Sequence, residues 1–480
     1  MSNVLRIAAD QWRHWVASRL AWVSSAVFVV LLVVVASLTA FRMVEERRVR
    51  LANQTDAETR FESQPNRHPH RMVHYGHYVF RAPAPLSVID PGIDAVTGRA
   101  MFLEGHRVNS ATFAEAQASA NAGGRTGPPT TAIMYQLLLP LLLIGLGHGV
   151  VLRERETKTL ATLLGQGVSQ ATLVAGKAAA LASLVALFSV PLVFAAVLAV
   201  SLGESWVAAW ALVSTYVVYL VLWAAAVLAA SVWVRERRHA LVLLLGAWVA
   251  VTVVVPRAGV AVATARLPAA GQIERTLDAR EEIKAAGDGH KPDDPAFARL
   301  RSELFEQHGV DKVEDLPINL RGVVAERSEG ALSAILQRYA DARMAREAEQ
   351  EAAIAALGWL SPTVAAGTAS RALSGTDLAT YHRFLREAEA LRLGFVQGLN
   401  RLHATGMAYA DDVQRSRDAD AERRTRVDAS NWAALLDDFR FRLDRPAVRA
   451  RAALSSWLML LTWCAALISL VVLGARRLTP

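Results

Sequence analysis

Six long apolar runs constrain this chain more than any other feature of its sequence. A helix rises about 1.5 Å per residue and a bilayer's hydrocarbon core is about 30 Å thick, so about 20 consecutive apolar residues can cross it. The runs fall at 20–41, 132–152, 178–202, 207–234, 240–256 and 452–474. The fifth is the shortest, and Pro256 is expected to end it. Composition agrees: the chain is 53% hydrophobic yet 20% charged, too apolar for an average soluble protein and too charged to lie wholly in lipid. Apolar spans must alternate with sizeable polar segments. The first run is expected to remain as a span rather than a cleaved signal. It is too long for a signal's apolar region, it follows a Trp-bearing amphipathic stretch, and FRMVEERR after it offers no small-residue cleavage site.

Charge sets the expected orientation. Segments 1–19, 153–177, 235–239 and 475–480 share one face, and 42–131, 203–206 and 257–451 the other. The first set carries 12 Lys/Arg against 4 Asp/Glu, a surplus equal to the chain's net charge of +8. In the second, 42–131 holds 11 against 9 and 257–451 holds 29 against 30. Lys and Arg beside span ends resist translocation, which places the first set and both termini in the cytoplasm. Arg42, Arg47, Arg48 and Arg50 run against this rule, offset in part by Glu45 and Glu46. The expected fold is therefore an all-α polytopic membrane protein. It has a cytoplasmic amphipathic helix (1–19), six transmembrane helices, a mixed extracytoplasmic segment after the first (42–131) and a cytoplasmic loop (153–177). A mainly helical extracytoplasmic domain (257–451) separates the fifth and sixth spans, and 475–480 forms a cytoplasmic tail. Because the basic excess is spread over loops at a membrane face, contact with membrane lipids accounts for it and no nucleic-acid partner is expected.

In 257–451, Leu378, Tyr381, Phe384, Leu385, Ala388, Leu391, Phe395, Leu399 and Leu402 recur at three- and four-residue intervals and define one apolar helix face. Leu332, Ile335, Leu336 and Tyr339 begin a similar stripe. Pro362, Gly367 and Gly375 are expected to interrupt the pattern, with SGTD (374–377) starting the next helix. The domain could stand off the membrane on its two flanking spans.

The search for chemistry excludes more than it finds. NRHPHRMVHYGHYVF (66–80) places His68, His70, His74 and His77 within ten residues, a spacing that can converge on a metal ion. Without Cys, HExxH or an adjacent carboxylate, surface or packing histidines are the expected reading, and no metal is assigned. Cys464 is the single cysteine, so there is no intrachain disulfide. A Walker A loop needs GxxxxGK[ST], and around Gly176-Lys177 an alanine replaces the first glycine (Ala171) and another the Ser/Thr (Ala178). No GxSxG elbow occurs, and no ionisable residue lies at mid-depth in a span, which argues against an ion-coupled carrier.

Between the second and third spans lies RERETKTLATLLGQGVSQATLVAGK (153–177). Leu160, Leu163, Leu164 and Val168 share one face of a short helix, Gly165 and Gly167 end it, and Ser169 can cap the next. Glu154 and Glu156 gain nothing from an anionic leaflet, so a protein partner's groove suits this helix better than a lipid surface.

This segment resembles the cytoplasmic loop of ABC-2-type (type V, export-class) ABC transporter permeases, whose pattern runs E-R-E-x-G-T-L, then L-L, a Gly–Val–Ser turn and a G-K leading into the next span. Glu154, Arg155, Glu156, Thr159, Leu160, Leu163, Leu164, Gly167, Val168, Ser169, Gly176 and Lys177 match it, and Lys158 departs from its usual Gly. Residues 1–19, with Leu5, Ala8, Trp12, Trp15 and Val16 on one face, resemble the interfacial elbow helix of these permeases. APLSVIDPG (84–92), FLEGHRVN (102–109), VEDLPINLRG (313–322) and 360–392 resemble a bacterial subfamily with large extracytoplasmic insertions after the first and fifth spans.

The resemblance implies a non-enzymatic permease subunit for an unknown exported substrate. It would pair with a second permease subunit and with a separate ATPase subunit that holds ATP and Mg. Glu154, Arg155, Glu156, Thr159, Leu160, Leu163, Leu164 and Val168 would form the coupling helix, with Leu160, Leu163 and Leu164 as apolar anchors and Glu154 and Glu156 as polar contacts. Trp12 and Trp15 would anchor the elbow at the interface. The alternative is a membrane signalling or scaffold protein with an outer sensing domain and an inner docking loop. An enzyme of the outer face has no constellation behind it.

Overall fold

The computed structural model describes residues 2–106, 129–269, 271–287, 289–436 and 439–478. Residues 107–109 of FLEGHRVN, the rest of 42–131 up to 128, and the last two residues of the tail lie outside them. Helix α1 (Asn3–Ala17) precedes α2 (Arg19–Glu62), α3 (Pro69–Tyr75) and an antiparallel hairpin of β1 (His77–Phe80) and β2 (Ala100–Leu103), with Val79 opposite Met101. Then come α4 (Thr131–Glu156), α5 (Thr159–Gly165), α6 (Gln170–Ser201), α7 (Trp206–Trp233) and α8 (Arg237–Arg266). The long region that follows holds α9 (Gln272–Ala285), α10 (Ala298–His308), α11 (Leu320–Ala356), α12 (Pro362–Ser374) and α13 (Leu378–Thr405). Short helices lead from there to α14 (Pro446–Arg476). Among the described residues α2, α4, α6, α7, α8 and α14 are long and apolar enough to cross a membrane. The chain is an all-α polytopic membrane protein.

Two span boundaries differ from expectation. Helix α2 does not stop at 41: it continues to Glu62 with neither Gly nor Pro inside, 44 residues or about 66 Å. Its basic run has partners, since Arg48 pairs with Glu45, Arg50 lies 3.8 Å from Glu46, and Arg47 donates to the Pro83 carbonyl at 2.8 Å. Helix α8 does not stop at Pro256 but runs on to Arg266. In a regular helix a proline ring clashes with the carbonyl four residues back. Here a wide π turn, Ala250–Val254, opens the backbone just before the ring, and Ser361 donates to the Val251 carbonyl inside it.

Pro140 in α4 poses the same problem. It withholds the donor that the Gln136 carbonyl would receive, and the π turn Met134–Leu138 lies before it. The Tyr219 hydroxyl of α7 donates to that carbonyl at 2.7 Å and meets Thr363 Oγ1 of α12 at 2.9 Å. Tyr216, one turn away, receives the Gln136 amide at 3.1 Å and meets Ser370 Oγ at 2.8 Å.

These contacts show that the region between the fifth and sixth spans does not simply stand off the membrane. Helix α12 packs against α7 and α14, burying Ala365, Ala366 and Ala369. Small side chains let backbones approach where apolar burial gives little net drive. Gly367 therefore lies within a helix rather than breaking one. Gly375 ends it at φ +66, and Asp377 caps α13 by accepting from the Thr380 N–H at 3.1 Å. The predicted face of α13 is turned inward, with Phe384, Leu385, Ala388, Phe395 and Leu399 buried against the hairpin, α3 and α11.

Replacing Tyr219 with Phe removes the donor to Gln136 inside the spans. The expected loss is about 1 kcal/mol, read as a lower unfolding temperature in detergent, while Tyr216→Phe leaves the Gln136 carbonyl satisfied.

Candidate functional site

The loop between the second and third spans is braced from inside the protein. Helix α4 ends at Glu156, and Lys158 takes a left-handed conformation, φ 60 and ψ 10, before α5 begins. An L side chain there costs about 1–2 kcal/mol, and glycine avoids the clash. That is the physical reason for the Gly that Lys158 replaces in the resembled pattern.

Glu154 is nearly enclosed and accepts from Lys177 Nζ at 2.9 Å, the Thr159 hydroxyl at 2.6 Å and Arg153 at 3.1 Å. Lys177 Nζ, 1% exposed, also donates to Gln11 Oε1 of α1 at 2.9 Å, and Arg153 reaches Asp10 at 3.1 Å. One buried ion pair thus joins α1, the loop and α6. Gly176 permits the close crossing: a Cβ there would lie 2.6 Å from the Ile7 side chain. Arg155 donates to the Val232 and Val234 carbonyls at the end of α7, where a helix leaves acceptors free. Glu156 meets Arg237, and Gln170 donates to the Leu478 carbonyl. Both ends of the chain and the two loops of the set 1–19, 153–177, 235–239 and 475–480 therefore meet on one face.

The expected coupling and anchor residues differ in exposure. Glu154 and Leu160 are buried within the chain, because the ion pair and the core of spans claim them. Leu163, Leu164 and Val168 are half-buried against that same core. The solvent-facing surface of the loop includes Glu156, Thr157, Lys158, Thr159, Ala161 and Thr162, with Arg155 half-buried. In α1 the inner face carries Ile7, Ala8, Gln11, Trp12 and Trp15, while Leu5 and Val16 are exposed. Trp12 donates to Ser183 Oγ at 2.7 Å and Trp15 to the Leu146 carbonyl at 3.0 Å, so both anchor α1 to neighbouring spans.

At the opposite end, the four histidines of 66–80 do not converge as a set. His68 caps α3, its Nδ1 accepting the His70 N–H at 3.1 Å, so its Nε2 carries the proton that faces Asp412 at 3.1 Å. Asp412 also meets His403 at 2.9 Å, and its carboxyl is held well below the usual range: burial opposes this, but the two imidazole hydrogen bonds outweigh it. His77 stands apart against Phe61, and burial pushes it down to about 4. His70 and His74 instead gather with His106 and His290, which sequence spacing gave no means of finding because they lie far apart in the chain. Burial, then the imidazoles of His74 and His290, pushes His70 down to about 3.

A cavity of about 810 Å3 opens where α2, α4, α11 and α12 meet. Its lining includes Arg42, Glu46, Asp90, Gln136, Glu351 and Arg371. Asp90 receives the Ser370 hydroxyl, and burial pushes its carboxyl up. Sequence reasoning missed this site, since its residues come from five separate stretches.

A family model described as a domain of unknown function (DUF3526) matches residues 272–442, which run from α9 to just before α14. No curated protein matches the chain.

Two substitutions test the loop. Lys158→Gly is expected to raise stability by about 1 kcal/mol, with Lys158→Val lowering it, read by thermal unfolding in detergent. Glu154→Ala leaves Lys177 buried and unpaired and is expected to cost about 3–5 kcal/mol, most of which Glu154→Ala/Lys177→Met restores. Equal losses in the single and double variants would show that the pair is not what holds the loop.

Proposed function

We propose that the chain is the membrane-spanning permease subunit of an ATP-driven exporter in a bacterial inner membrane, working with a second permease copy and a separate ATPase chain that binds ATP and Mg. The observation that carries this reading is the loop 153–177. It is held to α1 and α6 through Glu154, Lys177 and Gln11, yet it presents an exposed outer surface that includes Lys158, Ala161 and Thr162, on the same face as both termini. A rigid projection tied to two spans can pass a partner's movement into the membrane, whereas a floppy turn would absorb it. The resemblance to ABC-2-type permeases supports the partner's class, and the lack of a Walker A pattern in this sequence is consistent with ATP hydrolysis on a separate chain.

The basic surplus on this face supports a cytoplasmic location for the loop and termini. On the far side, the cavity beside Asp90, Gln136 and Arg371 offers a place for substrate between the spans and the outer region. Its mixed acidic and basic lining suits a polar or zwitterionic compound.

The docking residues of this reading are the exposed ones. Ala161→Asp/Thr162→Asp is expected to abolish permease-stimulated ATP hydrolysis in liposomes containing the co-purifying ATPase, with insertion and unfolding temperature unchanged. Full stimulation by that variant would overturn the reading.

A further inference from the structure

We propose that His70, His74, His106 and His290 form a binding site for a divalent transition-metal ion, with zinc the best match, and that the ion fastens the segment after the first span to the region between the fifth and sixth. The inference does not depend on the transport reading.

The geometry is that of a ligand set. His70 and His74 sit at i, i+4 on α3, so their rings share a face, and their Nε2 atoms are 3.3 Å apart. Tetrahedral zinc, with metal–nitrogen distances of about 2.0–2.1 Å, places its donors about 3.3 Å from one another. One donor nitrogen from each of the four histidines lies within 4.8 Å of all the others. His290 comes from the turn after α9, and its ring centre lies 4.7 Å from that of His106.

His106 is the most prepared of the four. Its backbone is held at φ 65, a left-handed conformation that surrounding structure must enforce. Its N–H donates to Glu329 Oε2 at 2.9 Å, and its Nδ1 lies 3.1 Å from the same oxygen. Glu329 is fully buried and receives Arg392 at 2.6 Å. This is the carboxylate–histidine arrangement that fixes the tautomer of a ligating imidazole and directs its other nitrogen outward. That other nitrogen, Nε2, is buried and has no hydrogen-bond partner.

Packing alone produces a different result, visible a few ångströms away. In the His68, His403 and Asp412 group the carboxylate is filled by both imidazoles, Asn319 and Arg415. Guanidinium groups there leave no place for a cation. The four-histidine group offers four imidazole donors, and its chemistry selects the metal: neutral imidazoles suit Zn, Cu, Ni and Co, whereas Mg and Ca require oxygen donors.

The test uses the full chain, purified in detergent without a polyhistidine tag, stripped with EDTA and dialysed. One zinc per chain by elemental analysis, a raised unfolding temperature with zinc but not magnesium, and tetrahedral visible bands with cobalt are expected. His74→Ala/His290→Ala alters two exposed positions, so its fold should survive, checked by circular dichroism. It should lose the ion, the thermal shift and the cobalt bands. His239→Ala, on the other face, should keep all three. Absence of stoichiometric zinc in the folded wild-type chain, or undiminished zinc binding by the double variant, would overturn the proposal.

Discussion

In hydrocarbon no water satisfies a backbone N–H or C=O, and the architecture of this protein depends on meeting that demand internally. Six helices do so for most of their length. The difficulty concentrates at prolines, which remove a donor and crowd a carbonyl. At Pro140 and Pro256 the chain widens into a π turn, and hydroxyls from other helices reach the backbone there: Tyr219 to Gln136 and Ser361 to Val251. Those hydroxyls link spans far apart in sequence, and they tie α12 into the bundle. A local backbone problem has thereby become a tertiary connection between the membrane helices and the region between the fifth and sixth spans.

A second principle governs the other face. Lys177 and Glu154 are both withdrawn from water, which is costly unless each finds close partners. They find them in each other, in Gln11 and in Thr159. Such a pair adds little net stability compared with apolar packing of the same volume, but it fixes one arrangement, since any slip of α1 or the loop exposes an uncompensated charge.

Much of this was legible in the sequence, for reasons of period and length. The six runs, the inward face of α13 and the cap at Asp377 all depend on local spacing. What was not legible depended on contacts across the chain. Nothing near Pro256 announces that a π turn will carry α8 past it. The apolar spacing of Leu160 marked a buried face correctly, but could not say that the face belongs to this chain's own core rather than a partner's groove. The histidine run at 66–80 drew attention to the right helix, yet only His70 and His74 join one cluster. Their companions arrive from positions 106 and 290, and the signal that might have found them, isolated histidines in polar turns, is too common to select. Lys158 was a departure from a pattern in the sequence, and its left-handed backbone gives the departure a physical cost.

Helix α2 carries one more consequence. With no glycine or proline over 44 residues, it has none of the usual sites at which helices bend. As one continuous helix it could act as a lever about 66 Å long. Its lower part packs against α6, and its upper part against β1 and the short helix at Ser430–Leu435. A tilt of about 5° between the spans would displace the upper end by roughly 6 Å over that length. The hairpin and Phe61 ride on that end, so a rearrangement among the spans would be magnified at the far side of the membrane rather than lost along the way.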